Sequence, residues 1–372
     1  MPSKNLTRSS NGENQKDRAP ISLKQLATHL GLSPTTVSLV LNGSPLATSI
    51  PDGTQNRIFE AARGFHYRPN LVARSLRAQR SFTVGVMVPE LSDGYSAMVL
   101  SGIEDHLFRE GYFALVASHR HEKKLIEHYP GLFFQRRVEG IIAVDTPYDQ
   151  RLPIPVVAVS GEHDIEGVST VKLDHNRAAV LALEYLIQLG HRSIAFIKGQ
   201  SFSSDTYVRW GAIETEAGLL GLRIAPELVV QLEGDSPSPE LGYVAAKHLL
   251  ASGMRFSAVF AFNDVSAIGA VRAFREAGLL VPDDVSVIGF DDIYNAAFFS
   301  PALTTIRQPL KEMGRLAAET LIKRISTGPD ASDHEELIVE PELIIRQSTA
   351  KARDHRRQSN KLRGRTALRP SK

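Results

Sequence analysis

The distribution of apolar positions changes character twice along the 372-residue chain. Residues 1–20 hold few apolar side chains and read as a disordered tail. From Ile21 a helical rhythm begins. Ser22 followed by Gln25 has the form of a capping box, and Leu23, Leu26, Ala27 and Leu30 fall on one helical face. Gly31 suits a helix end that needs a left-handed residue. Ser33 and Pro34 supply an N-cap and a first-turn proline for a second helix, whose buried face is Val37, Val40 and Leu41. Two short helices joined by a tight glycine-containing turn predict a helix-turn-helix. After Asn42 comes a loop rich in Gly, Pro and Ser, then a third helical pattern that sets Ile58, Phe59, Ala61 and Ala62 against the first two. The segment 68–76, opening with Arg68, Pro69 and Asn70, is long enough for only about two helical turns. Isolated helices under about 12 residues are marginal in water, so this segment is expected to fold only with outside support.

From Phe82 onward the rhythm switches to short apolar runs separated by helical patterns. The runs 83–88, 113–117, 140–144, 156–159, 193–197, 228–232, 258–262 and 285–290 have the length of strands buried on both faces. Helical stretches such as 177–189 and 266–277 lie between most of them. This punctuation predicts an α/β body built on parallel sheet. So many strands in some 265 residues favour two doubly wound lobes over one sheet. Ligands in such folds sit beyond the carboxyl ends of the strands, which directs attention to a cleft between the lobes.

Charge sharpens this division. Residues 1–80 carry 11 Lys and Arg against 4 Asp and Glu, and residues 350–372 carry 9 against 1. The stretch between them is therefore strongly acidic, since the whole chain is only +2. Basic ends predict a polyanionic partner. Nucleic acid fits better than a membrane surface, because neither end offers an apolar face large enough to insert. The absence of cysteine excludes disulfides, thiolate metal sites and cysteine nucleophiles. The polar opening stretch and the lack of any long apolar run lead to the expectation of a cytoplasmic protein without membrane contact.

Enzyme readings find little support. Asp291 and Asp292 look like a carboxylate dyad, yet neighbours at a strand end point to opposite sides. His119 and His121 form a potential metal pair with no third ligand near in sequence, and a solvated loop is the preferred reading. No phosphate loop, dinucleotide fingerprint or nucleophile elbow is present, so no cofactor, metal or catalytic residue is expected. The sole tryptophan, Trp210 beside Arg209, is expected to pack at the lobe surface or the cleft. The capped helix pair, in contrast, opens a basic domain, and recognition helices meet base edges through their N-terminal residues, here Thr35, Thr36 and Leu39.

The segments ISLKQLATHLGLSPTTVSLVLNG and FHYRPNLVARSLR resemble the DNA-binding headpiece and hinge of the lactose repressor (LacI/GalR) family of bacterial transcription regulators. VGVMVPELSDGYSAMVLSGIEDHL, YLIQLGHRSIAFIKG, AVFAFNDVSAIGAVRAFREAG, VPDDVSVIGFDDI and SPALTTIRQPLKEMGRLAAETLI resemble the body of that family in the same order. The resemblance runs over about residues 21–347. It implies a helix-turn-helix headpiece at 21–67 and a hinge helix at 68–80. It further implies a two-lobed, periplasmic-binding-protein-like (type 1) body at 81–348, with a basic disordered tail at 349–372. Also implied are a homodimer, with further pairing into a tetramer left open, and double-stranded operator DNA as partner. A small-molecule effector, a sugar or related metabolite, would bind between the lobes.

On that resemblance the DNA-binding residues are Ser33, Thr35, Thr36, Ser38, Leu39 and Asn42 in the headpiece and Asn70, Ala73 and Leu76 in the hinge. Leu76 would be the wedge that parts a base step in the minor groove, with Val72 and Ala73 packing on the partner hinge. The effector residues are Asp93, Tyr95, Ser160, Arg209, Asn263 and Asp291. A polyol both donates and accepts hydrogen bonds, which suits acceptor Asp, forked donor Arg and bifunctional Asn. Tyr95 and Phe262 add faces for stacking.

Departures from the family pattern bear on specificity. Leu39 stands where most members carry an arginine that reads guanine; leucine makes only apolar contact, for instance with a thymine methyl. Ser160 replaces a common Asp, and Ser236 and Pro237 occupy the place of an aromatic in the best-known member. The expected function is an effector-controlled transcription regulator, most often a repressor in this family. The competing reading is a soluble sugar-binding module that works without DNA.

Overall fold

The computed structural model describes residues 21–67, 79–147, 152–160, 165, 167–327 and 335–353. The expected hinge contacts Asn70, Ala73 and Leu76, with Val72, and both tails from residue 20 back and 354 on lie outside the described residues. The chain forms two compact units, residues 1–80 and 81–372.

In the first unit, local signals decide the helices. Helix α1 (Leu23–Leu30) starts at Ser22, whose hydroxyl accepts from the Gln25 amide while Gln25 Oε1 accepts from the Ser22 amide at 2.9 Å. It ends at Gly31 with φ +65°, where a side chain would be strained. Helix α2 (Pro34–Leu41) is capped by Ser33, whose Oγ accepts from the Thr36 amide at 3.0 Å. Beyond Asn42, where a plain loop was expected, Pro45–Ser49 winds into a 3-10 helix. Gln55 at the start of α3 (Asp52–Gly64) anchors it by donating to the carbonyls of Ala47 and Ile50. Leu26, Ala27, Val37, Val40, Ala47 and Ile58 form the core. Phe59, expected in that core, is 40% exposed. One residue turns the side chain about 100° around a helix, so Ile58 takes the buried position alone.

The second unit contains two six-stranded sheets. The first collects β1 (Thr83–Val88), β2 (Phe113–Ser118), β3 (Gly140–Val144), β4 (Val156–Val159) and β5 (Val168–Leu173). The second holds β6 (Ile194–Lys198), β7 (Val229–Gln231), β8 (Ala258–Ala261), β9 (Ser286–Asp291) and β10 (Thr304–Arg307). The chain then returns to the first sheet for β11 (Glu336–Val339) and to the second for β12 (Glu342–Ile344). The orders are β11-β5-β4-β3-β1-β2 and β12-β10-β9-β8-β6-β7, so the chain passes between sheets three times. Among the described residues every pairing is parallel except β10 with β12. The parallel order and the intervening helices put the two-lobed α/β architecture where the apolar runs placed it.

Two details differ from the sequence reading. β2 is an edge strand with Phe113 69% exposed, not a strand covered on both faces. β5, β10, β11 and β12 escaped notice because VSTVKL, TTIR, ELIV and ELI interleave polar residues that are buried or at an edge. Helix Leu310–Thr327 packs back on helix Gly94–Arg109 at backbone distance. A Cβ on Gly102 would lie 1.9 Å from the Lys311 carbonyl oxygen, so only glycine permits this approach.

Candidate functional site

Parallel strands deliver their carboxyl ends to one edge of each sheet, and in the body these edges face a common cleft. Its walls carry Glu90, Asp93 and Tyr95 after β1, His121 after β2 and Asp145 after β3. The second lobe contributes Phe202, Asp205 and Arg209 after β6, Phe262 and Asn263 after β8, and Asp291 at the end of β9. The cleft encloses about 880 Å³ of space, its open mouth included. Asp145, Ser160 and Asp291 adopt φ values of +38°, +64° and +106°, uncommon for residues with a Cβ. Such conformations cost energy and concentrate at ligand sites.

Arg209 organises the second lobe's wall. Its side chain is buried; Nη2 pairs with Asp205 at 3.1 Å and Nη1 donates to the Phe262 carbonyl. The guanidinium lies 3.7 Å from the Phe290 ring centroid and 4.4 Å from that of Phe262. One face of Phe262, expected to stack on a ligand, is therefore occupied by Arg209. The buried Nε of Arg209 has no acceptor among the described residues.

Five of the six expected effector residues line the cleft: Asp93, Tyr95, Arg209, Asn263 and Asp291. Asp93 and Asn263 serve a second purpose as helix N-caps, accepting from the amides of Ser96 (2.6 Å) and Ser266 (2.8 Å). Ser160 is not on the wall. It is buried behind Tyr95, and the two hydroxyls lie 2.6 Å apart, so it holds that ring in place. Asp291 accepts from Gln308 Nε2 at 2.7 Å, whereas Asp292 turns away to Arg307 and Arg346. Trp210 is absent from the cleft wall. It meets Phe196 edge-on at 5.7 Å with the Lys198 ammonium over its ring.

Burial dominates the electrostatics. It pushes the Asp145 carboxyl up to about 7, helped by the neighbouring Asp205 carboxylate and opposed by the Ser204 hydroxyl, which donates at 2.7 Å. Asp291 is also raised to about 7 by burial, against the pull of Arg209 and Gln308. The Asp93 carboxyl and the Tyr95 phenol are raised by burial as well.

The sequence reading missed Asp145, Asp205, His121 and Phe202. Asp145 ends an apolar strand and Asp205 opens a helix, both places where an aspartate reads as a turn or cap. His119 and His121 do not form a solvated loop. His119 is fully buried, with Nε2 3.0 Å from the Thr146 hydroxyl and Nδ1 accepting from the His121 amide. Since Thr146 donates its proton to the Val144 carbonyl, it accepts from His119, which fixes the neutral Nε2–H tautomer. Burial lowers His119 to about 3 and His121 to about 4. The His121 ring tilts on Phe202 at 4.4 Å, joining the lobes across the cleft. Among the described residues no group of three His, Asp or Glu is placed to hold a metal.

In the headpiece unit Thr35 at the start of α2 is exposed, while Leu39 is half-buried. Ser33 is committed to capping, and the Thr36 hydroxyl lies 2.8 Å from its Oγ. Asn42 donates to the Ser38 carbonyl at 2.7 Å and to its hydroxyl at 3.0 Å, so these two form a local pair. No helix among the described residues is long and apolar enough to cross a membrane.

Residues 183–349 match the family described as periplasmic binding protein-like domain. The chain is 34% identical to the HTH-type transcriptional repressor PurR of Erwinia tasmaniensis over 349 residues, 90% of this chain and 99% of that protein. Among solved structures it is similar to the transcriptional regulator CelR in complex with cellobiose. There the TM-score is 0.66 and the identity 27%, covering 88% of this chain and 99% of that one. The lac repressor dimer bound to operator and the anti-inducer ONPF shares the fold, with a TM-score of 0.74, 24% identity and coverage of 89% and 100%.

Proposed function

The chain belongs to the lactose repressor (LacI/GalR) family of DNA-binding repressors controlled by small-molecule effectors, and we propose that it acts in the cytoplasm as a homodimer on a near-palindromic operator. Thr35, Thr36 and Leu39, steadied by the Ser33 cap and the Ser38–Asn42 pair, present α2 to the major groove. Leu39 makes apolar contact there, so guanine readout through arginine is absent at that position. Asn70, Ala73 and Leu76 are assigned to the minor groove on their sequence pattern alone. Dimerisation is supported by apolar side chains at the body surface. Phe108 (81% exposed) and Phe113 precede and open edge strand β2, and Tyr294 and Phe298 (90% exposed) lie in the second lobe. Tyr294 and Phe298 lie one turn apart on the same short helix, and contiguous exposed apolar groups mark interaction surfaces.

The effector occupies the cleft, with Asp93, Tyr95, Asn263 and Asp291 offering hydrogen-bonding groups around Arg209 and Ser160 setting the Tyr95 ring. The observation that carries this reading is a capped helix-turn-helix and a walled, polar interlobe cleft in one chain. Effector binding alters the stability of the DNA-bound dimer through its differential affinity for two lobe arrangements, and operator must affect effector affinity reciprocally. The test is fluorescence anisotropy on labelled upstream genomic fragments, with and without a panel of small metabolites. One fragment should bind in preference to random duplex, with a steep decline in affinity as salt rises, and one compound should shift that affinity. A protein with no preference for any fragment, with or without metabolites, is a binding module of another kind.

A further inference from the structure

Helix Ser204–Leu219 turns Thr206, Arg209, Trp210 and Ile213 to one face, because residues three and four apart are neighbours on a helix. These four close a small cavity together with Gly199 after β6 and Phe262 after β8. The cavity lies behind the cleft wall. Arg209 and Phe262 border both spaces, whereas Gly199, Thr206 and Trp210 are absent from the cleft wall. Two of the residues around the cavity carry a buried polar atom with no partner among the described residues, Arg209 Nε and Thr206 Oγ1. Arg209 is 4% exposed and Thr206 2%, so bulk solvent does not answer either atom. The hydrogen bonds that Arg209 does make run through its other two nitrogens, Nη1 to the Phe262 carbonyl and Nη2 to Asp205.

A buried N–H or hydroxyl without a partner is costly, and a cavity that offers two or more polar groups and enough room holds water. Here the centre of a water molecule has about 10 Å³ available, room for one molecule. A side chain cannot take that place from Gly199, since a Cβ there would lie 2.3 Å from Thr206 Oγ1 and 2.5 Å from the Phe262 ring. We propose that the cavity is a binding site for one ordered water, which accepts from Arg209 Nε–H and donates to Thr206 Oγ1. An anion could also accept from the guanidinium, but Asp205 already neutralises that charge at 3.1 Å, so a neutral ligand fits better. The water gives the third guanidinium nitrogen a fixed partner. Arg209, a residue of the cleft wall, is thereby positioned from outside the cleft, whatever the cleft itself binds.

The test is a high-resolution crystal structure of the full-length protein, with a second crystal soaked in bromide. One density peak is expected within about 3.2 Å of both Arg209 Nε and Thr206 Oγ1, with no anomalous bromide signal on it. Thr206→Val keeps the shape of the side chain and removes the hydroxyl, and is expected to lose the peak. Thr206→Ser keeps the hydroxyl and is expected to retain it, which separates loss of a partner from disturbed packing. Circular dichroism checks that both variants fold, and the parent structure alone decides the matter if one does not. An empty cavity, a direct Thr206–Arg209 hydrogen bond, bromide at the site, or a peak that persists unmoved in Thr206→Val each overturns the assignment.

Discussion

The headpiece and the cleft are built by opposite means. In the headpiece, the residues that shape the site lie within a few positions of one another: Ser22 with Gln25, Ser33 with Thr36, Ser38 with Asn42. In the cleft, Tyr95 is held by a residue 65 positions away and Asp145 by one 59 positions away. A local site is stabilised by backbone caps and fails in small steps. A site assembled from strand ends depends on buried charge and close packing, and fails in large ones.

The most damaging change to the cleft is expected to be Arg209→Met. It leaves Asp205 buried without its cation, at a cost on the order of 3–5 kcal/mol, read from chemical denaturation of the body. It also removes the effector response, while a folded headpiece retains nonspecific DNA binding. A variant that keeps full stability would show that the Asp205 pair is replaceable. Next in size is Gly102→Ala. The added methyl meets the Lys311 carbonyl oxygen, and overpacking of this kind costs about 1–3 kcal/mol. The loss should appear in the body's unfolding transition alone; a matching loss in the headpiece transition of the full chain would contradict the division into two units.

On the other side of the comparison, Ser33→Ala removes a helix cap at about 1 kcal/mol. It should weaken operator binding without altering effector affinity. A smaller change in total energy, but a diagnostic one, is Leu39→Arg. It should shift base preference at one position per half-site towards guanine while nonspecific affinity changes little, as selection from randomised operators can show.

The net pH dependence is expected to be the smallest effect, because two groups of buried residues oppose each other. Asp145 and Asp291 have folded values raised from 3.8 to about 7. The folded state keeps their protons longer, so their contribution to stability falls as pH rises from about 4 to 7. His119, His121 and His175 have folded values lowered from 6.5 to between about 3 and 4. They fold neutral, so their contribution is present above pH 6.5 and is lost as pH falls from there toward 4. Over pH 4 to 6.5 the two slopes have opposite sign. Asp145→Asn removes part of the falling arm, and the variant should gain stability with pH more steeply than the parent. Parallel profiles would show that Asp145 does not titrate in that window.

Much of the fold was legible because its cues are local or repeated. Periodicity located α1 and α2, and apolar runs located eight of the twelve strands among the described residues and the two-lobed arrangement. Strands such as β10, with Thr304 and Thr305 fully buried, were hidden because buried polar side chains mimic loop composition. Their hydroxyls find partners only in three dimensions, as Thr305 does at Asp264. The cleft residues were read through motif resemblance, and Ser160 was placed on the wall when its partner is Tyr95. The same lack of long-range information turned His119 from a buried, hydrogen-bonded ring into an apparent loop residue.

By itself the amino-acid sequence determined where helices begin and end, which runs form buried sheet, and how charge divides the chain, since these follow from interactions a few residues in reach. Tertiary structure alone decided which carboxylates share a cleft, which hydroxyl steadies Tyr95 and which nitrogen of Arg209 is left with a bond to make. Those outcomes depend on strand order and on the lowered polarity of a buried site, and neither is encoded at any one position.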